Sequence, residues 1–137
     1  MEFRSRNLEF GIIMETKKKI QSFTDLEVWR EAHILVLLIY KITKSFPKEE
    51  LFGLTSQLRR SVVSVTSNIA EGFSRFSYKE KVQFYTTALG SLTEIENQLL
   101  IARDVRYLDK NNFEKLFQQA ITVQKLLNAF IKKSKSF

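Results

Sequence analysis

Only four glycines and one proline occur in 137 residues, so the chain has almost no material for tight turns. A sandwich or barrel of short strands needs a turn about every 8–12 residues, most of them built on glycine, proline or asparagine. The all-β classes are strongly disfavoured, and a few long elements must span the sequence. With no cysteine there is no disulfide framework, thiolate metal site or cysteine nucleophile, and His33 alone cannot build a multi-histidine site. We therefore expect no metal and no cofactor. At 44% hydrophobic and 27% charged, the chain has enough apolar surface for one folded domain.

Helical punctuation is clear. Thr24-Asp25-Leu26-Glu27 has the spacing of a capping box, in which a Thr side chain takes a backbone N–H and a Glu reaches back. Apolar residues then recur at Leu26, Trp29, Ala32, Val36, Ile39 and Phe46 up to Pro47, predicting a first helix over residues 25 to 45. Pro47 to Gly53 reads as a short turn, with Glu49 and Glu50 near the positive end of the next helix. Leu54, Leu58, Val62, Val65 and Ile69 form the seam of a second helix, stopped near Gly72. Ser77-Tyr78-Lys79-Glu80 is another capping box. It opens a third helix through Val82, Tyr85, Leu89, Leu92, Leu99 and Ala102 to about Val105. Asp109 is the expected cap of a fourth, carrying Phe113, Leu116, Phe117, Ala120, Val123, Leu127 and Phe130. Four long helices with short connections predict an all-α, antiparallel up-down-up-down four-helix bundle. Its expected limits are residues 23–133, after a poorly ordered N-terminal extension (1–22) and before a frayed basic tail (134–137).

Two features bear on function. Ile34 to Tyr40 is apolar on every side of nearly two turns, which fits either the most central helix or a second buried face at a subunit interface. The second helix also carries a polar stripe, Gln57, Ser61, Ser64, Asn68 and Glu71, beside its apolar seam. Half-buried polar groups need partners, and the face Thr87, Gly90, Ser91 and Glu94 on the third helix would supply them. Gln57, Asn68, Glu71, Ser91 and Glu94 are thus expected to form a structural network. Gly90, unfavourable inside a helix, predicts close approach of another backbone.

The segments Phe23-Thr24-Asp25-Leu26-Glu27-Val28-Trp29, Phe46-Pro47-Lys48-Glu49-Glu50-Leu51-Phe52-Gly53-Leu54, Gln57-Leu58-Arg59-Arg60-Ser61, Asn68-Ile69-Ala70-Glu71-Gly72 and Gly90-Ser91-Leu92-Thr93-Glu94 occur in this order. Together they resemble the bacterial four-helix-bundle family of 23S ribosomal RNA intervening-sequence proteins, over residues 20 to 130. The family usually has alanine where this chain has Ser61 and Val62, a conservative change at a packed position. The resemblance implies a subunit that assembles into a homopentamer, with no enzymatic activity attached. It also implies kinship with the accessory protein of diversity-generating retroelements, which binds a reverse transcriptase and RNA.

The function expected from both lines is a nonenzymatic, homo-oligomeric binding or scaffold protein associated with nucleic acid, chiefly RNA. The alternative is a protein–protein adaptor for a nucleic-acid enzyme such as a reverse transcriptase, without direct RNA binding. Lys and Arg bind phosphates largely without regard to sequence. The candidate contacts are Arg59 and Arg60, then Arg75, Lys79 and Lys81 interleaved with Phe76 and Tyr78, then Lys132, Lys133 and Lys135. An enzyme reading has only the possible carboxylate pair Glu71 and Glu94, with His33 expected to be a packed or boundary residue. A membrane or partner module would use the basic amphipathic end Leu126, Leu127, Phe130 and Ile131 with Lys125, Lys132 and Lys133, although packing in the bundle is the stronger reading. The longest apolar run, Ile34 to Tyr40, is far below the roughly 20 residues of a membrane span. Residues 1 to 20 lack the apolar stretch of a signal peptide, and together these predict a cytoplasmic protein. Of the net charge of +7, residues 1 to 20 hold +2 and 109 to 137 hold +4. The C-terminal lysines are therefore the charged feature to test. Met14, just ahead of Lys17-Lys18-Lys19, is a candidate translation start alongside Met1.

Overall fold

The computed structural model describes residues 19–135, and every regular element among them is helical. Four α-helices, α1 (Glu27–Thr43), α2 (Leu54–Ser74), α3 (Tyr78–Asp104) and α4 (Lys110–Ser134), follow one another, with 3₁₀ turns at Phe23–Asp25 and Lys48–Glu50. Each helix packs on its neighbours in sequence, and α1 closes the ring against α4. Contact pairs run in opposite senses along neighbouring helices. Ser61 meets Glu94 and Ser64 meets Ser91 between α2 and α3, while Tyr85 meets Phe130 and Arg103 meets Phe113 between α3 and α4. The result is the all-helical four-helix bundle that the spacing of apolar residues predicts, with α2–α3 and α3–α4 antiparallel.

The first cap lies earlier in the chain than the sequence suggests. Ser22 and Asp25 have the same spacing as Thr24 and Glu27, and they form the reciprocal box. The Ser22 Oγ accepts from the Thr24 N–H at 3.2 Å, and the Asp25 carboxylate accepts from the N–H groups of Ser22 at 3.1 Å and Gln21 at 3.0 Å. A carboxylate taking two backbone donors outcompetes the later pair. The box therefore closes a 3₁₀ turn, and α1 starts at Glu27 from an extended Leu26 that has no side-chain cap. This capped turn starts within the expected extension of residues 1–22. Residues 1–18, with the Met1 or Met14 question, and the tail residues 136–137 lie outside the described residues. Ser77 and Asp109 cap α3 and α4, accepting from the Glu80 N–H at 3.2 Å and the Asn112 N–H at 2.7 Å.

Glu50 provides the cap of α2. Its Oε1 accepts from the Leu54 N–H at 3.0 Å while its Oε2 accepts from the Tyr107 hydroxyl at 2.9 Å, so one carboxylate fixes both the start of α2 and the α3–α4 turn. Gly53 makes this possible, because a Cβ there would lie 2.5 Å from Glu50 Oε1. In the same corner Arg106 adopts φ 67°, a left-handed position normally given to glycine. The Tyr107 N–H returns to the Ala102 carbonyl at 2.8 Å and the Arg106 N–H to that of Arg103 at 3.0 Å, which is the bonding of a Schellman turn. The tilted Phe46–Tyr107 ring pair, 5.4 Å apart, packs behind it.

Every helix sends its apolar stripe to one core. Leu35, Ile39, Leu58, Val62, Val65, Ile69, Leu92, Ile95, Leu99, Val123 and Leu127 are fully buried, each contributing roughly 1.5–3 kcal/mol relative to exposure. Leu126, Phe130 and Ile131 pack against this core, so the apolar face of α4 is used within the bundle. The two helical glycines differ from the sequence reading. Gly72 does not stop α2, which continues to Ser74; it is buried because the Tyr85 ring occupies the space of its side chain, with Tyr85 Cε1 2.5 Å from a virtual Cβ. Gly90, expected to admit a neighbouring backbone, faces open space with nothing within 4 Å.

These differences predict opposite responses to one chemical change. Gly90→Ala raises the free energy of unfolding by about 0.5–1 kcal/mol, the helix preference of alanine, whereas Gly72→Ala lowers it by roughly 1–3 kcal/mol through overpacking. Urea titration of both variants checks the signs. The Leu54 N–H and then the Tyr107 hydroxyl hold the Glu50 carboxyl below its ordinary pKa. Its contribution is therefore complete above the usual carboxylate range and is lost as pH falls through the lowered value. Acid titration of stability is expected to be steeper in the native protein than in Glu50→Gln, with the two curves converging at low pH.

Candidate nucleic-acid interface

The antiparallel topology sorts the candidate cations by end. Arg59 and Arg60 lie near the start of α2, at the end of the bundle that holds the α3–α4 turn. Arg75, Lys79 and Lys81 surround the α2–α3 turn at the opposite end, and the last turn of α4 arrives there too. Lys81 and Lys133, 52 positions apart in the sequence, consequently line the same groove. The structure brings the second and third groups of candidates together and leaves Arg59 and Arg60 apart from them.

Three of the cations have intramolecular duties. The Arg59 Nε donates to Thr43 Oγ1 at 2.9 Å and its guanidinium lies 4.9 Å from the centre of the Tyr40 ring, which clasps α1 to α2. Arg75 pairs with Glu71 at 3.1 Å and stacks 4.8 Å from the Phe84 ring. The Lys81 ammonium donates to the carbonyls of Phe73 at 2.8 Å and Gly72 at 3.3 Å, closing the end of α2. Partial burial there lowers its pKa. Arg60, Lys79, Lys132, Lys133 and Lys135 are exposed, presenting their charges to solvent.

The expected polar network is shorter than the stripe that suggested it. Ser61 donates to Glu94 at 3.3 Å, Ser91 donates to Ser64 at 2.9 Å, and the Asn68 amide donates to the Ser64 carbonyl at 2.8 Å and hydroxyl at 3.1 Å. Gln57 and Glu71 are not part of this seam. Both are exposed, and Glu71 instead meets Arg75 on its own helix. Glu71 and Glu94 do not form a carboxylate pair either. Glu94 sits opposite Ser61, ten positions from Glu71, or roughly 15 Å of helix. Gln98, one heptad after Ser91, escaped the sequence reading; it is buried with its Oε1 lacking a partner. Among the described residues no group of three or more His, Asp or Glu side chains is placed to hold a metal. His33 is half-buried and stacks on Trp29 at 4.8 Å between ring centres.

Glu96 has a buried Oε2 without a partner, and loss of solvation raises its pKa. A raised folded-state pKa favours the folded chain at low pH, and that advantage is lost as pH rises through the raised value. Glu96→Gln is therefore expected to be more stable than the native protein at neutral pH and to lose this lead on acidification, as read from urea midpoints over a pH series.

Comparison with known proteins agrees with this architecture. A crystal structure of a protein of unknown function from the S23 ribosomal protein family of Bacteroides thetaiotaomicron is similar at a TM-score of 0.71 and 24% identity, covering 77% of this chain and 95% of that one. That similarity establishes the fold. No curated protein matches the chain. The family model for the 23S rRNA-intervening sequence protein matches residues 24–129. That span holds α1 to α3, the connecting turns, the seam between α2 and α3, and α4 up to residue 129, and the chain belongs to the 23S rRNA-intervening sequence protein family.

Proposed function

We propose that this protein is a nonenzymatic, homo-oligomeric scaffold, pentameric as the family resemblance implies, that binds RNA in the cytoplasm. The observation that carries the reading is an apolar strip the single chain leaves in water. Ile34, Leu37 and Tyr40 follow one another along α1, and Tyr40 borders a shallow depression with Leu51, Phe52 and Val63. Leu37 is 56% exposed and Phe52 93%. Contiguous exposed apolar surface of this kind marks an interaction site. This strip also accounts for the run from Ile34 to Tyr40, whose inner positions Leu35 and Ile39 are wholly buried while its outer positions await a partner. Arg59 and Arg60 border the same depression, so we assign them to the subunit interface before the RNA.

The RNA side of the proposal rests on the opposite end, where Lys133 lines a groove and Lys79, Lys132 and Lys135 are exposed on the helices that form it. Repetition of that end around a ring multiplies weak phosphate contacts by avidity. The adaptor alternative draws support from Arg59, Arg75 and Lys81, whose intramolecular contacts reduce the positive charge available to phosphate. Light scattering is expected to give about five times the 16.1 kDa chain mass for the native protein and a folded, smaller species for Leu37→Glu. Replacing Lys132, Lys133 and Lys135 by alanine should flatten the dependence of RNA affinity on salt by up to about one unit per lost contact. A monomer at every concentration overturns the scaffold reading. Intact oligomers with no RNA affinity at low salt favour the adaptor.

A further inference from the structure

A groove of about 530 Å³ opens at the end of the bundle where the α2–α3 turn, the start of α1 and the end of α4 meet. That volume falls in the range of small-ligand sites, about 300–1,000 Å³. Its walls are apolar and largely aromatic: Leu26 and Val28 from the start of α1, Phe73 from α2, Tyr85 from α3, and Leu126 and Phe130 from α4. Tyr85 and Phe130 meet edge to face at 5.2 Å, fixing the shape of the floor. Charged groups sit among the lining residues as well: Lys81 and Lys133 as cations, with Asp25 and Glu27 as carboxylates.

We propose that this groove receives one nucleotide unit, the base against the aromatic walls and the phosphate at Lys81 and Lys133. The proposal deepens the RNA reading above and rests on it. Three observations favour this ligand chemistry. Phe76, which also lines the groove, is fully exposed at 102%; its ring has no core to fill and is available as a stacking platform, a role aromatic side chains take with single-stranded nucleic acid. Lys81 is held in place by two backbone carbonyls, yet an ammonium has three N–H donors, so one remains for a phosphate oxygen without new ordering of the side chain. The Glu27 carboxylate on the lining can accept from the amino groups and ribose hydroxyls of a nucleotide, donors that a fatty acid does not offer. A duplex keeps its bases paired and stacked, so the ligand must be a single-stranded or extruded nucleotide, or a free one.

The test titrates the full-length protein with a nucleoside monophosphate, a single-stranded RNA oligomer and a duplex of the same sequence, and repeats each with Phe76→Ala, Lys133→Ala and, as a control at the opposite end of the bundle, Lys110→Ala. Both groove positions are exposed, so these variants should fold, which circular dichroism checks. Loss of single-strand affinity by at least about fivefold in Phe76→Ala, the scale of one stacked base, is expected. Lys133→Ala should weaken it as well, while duplex affinity stays unchanged with Phe76→Ala and Lys110→Ala has no effect on the monophosphate. Binding of the monophosphate without the RNA, abolished in Phe76→Ala, would support the groove with a free nucleotide as its source and remove the RNA reading. RNA binding that Phe76→Ala and Lys133→Ala leave untouched overturns the groove and leaves RNA association standing. Absence of binding to all three probes at low salt overturns both.

Discussion

The contact between α2 and α3 is the most extensive in the bundle, and it depends on small groups along one line. Ser61, Ser64 and Gly72 on α2 face Glu94, Ser91 and Tyr85 on α3. Serine hydroxyls let the helices approach while satisfying one another, and at Gly72 the Tyr85 ring takes the place of a missing side chain. Burial pushes the Tyr85 hydroxyl up to about 12, so it stays neutral and the contact carries no charge to solvate. Because this pair is fixed in register, the α2–α3 turn has one position, and the groove beneath it has a defined floor.

The two ends of the bundle are secured by different chemistry. At one, the Glu50 carboxylate joins α2 to the α3–α4 turn through Leu54 and Tyr107, and Arg59 joins α1 to α2. At the other, Lys81 closes the carbonyl end of α2 while Ser22 and Asp25 turn the chain into α1. A basic residue used in this way contributes to folding first and can reach a ligand only with what remains of its donors. This division explains why, of the cations the sequence suggests as phosphate contacts, Arg60, Lys79 and the lysines at the end of α4 present their charge to solvent while Arg59, Arg75 and Lys81 are engaged within the chain.

Much of the helical architecture was legible because helices bury one face and cap their ends with short polar side chains. The seam Leu58, Val62, Val65 and Ile69, the caps Ser77 and Asp109, and the short turn after Pro47 all follow from spacing alone. The cap of α1 was misplaced because Ser22-x-x-Asp25 and Thr24-x-x-Glu27 are equivalent as patterns, and only the geometry of the Asp25 carboxylate chooses between them. Gly72, expected to stop its helix, and Gly90, expected to admit a close neighbour, differ from that expectation for a related reason: glycine inside a helix signals a close approach or nothing, and the neighbour that decides lies on another helix. The polar stripe marked Ser61, Ser64 and Asn68 yet overreached to Gln57 and Glu71, since a stripe has no visible end until its partner helix is in place.

The sequence by itself determined the number of helices, their approximate limits and the family, because these follow from local periodicity, caps and the order of short segments. Only the tertiary structure decided which cations share a surface, which are held by carbonyls, rings and carboxylates, and which outer positions of the Ile34–Tyr40 run face water. Most of those questions concern residues on different helices, such as Arg59 with Thr43 and Lys81 with Lys133. No pattern within one helix encodes them; they are set by how the helices pack.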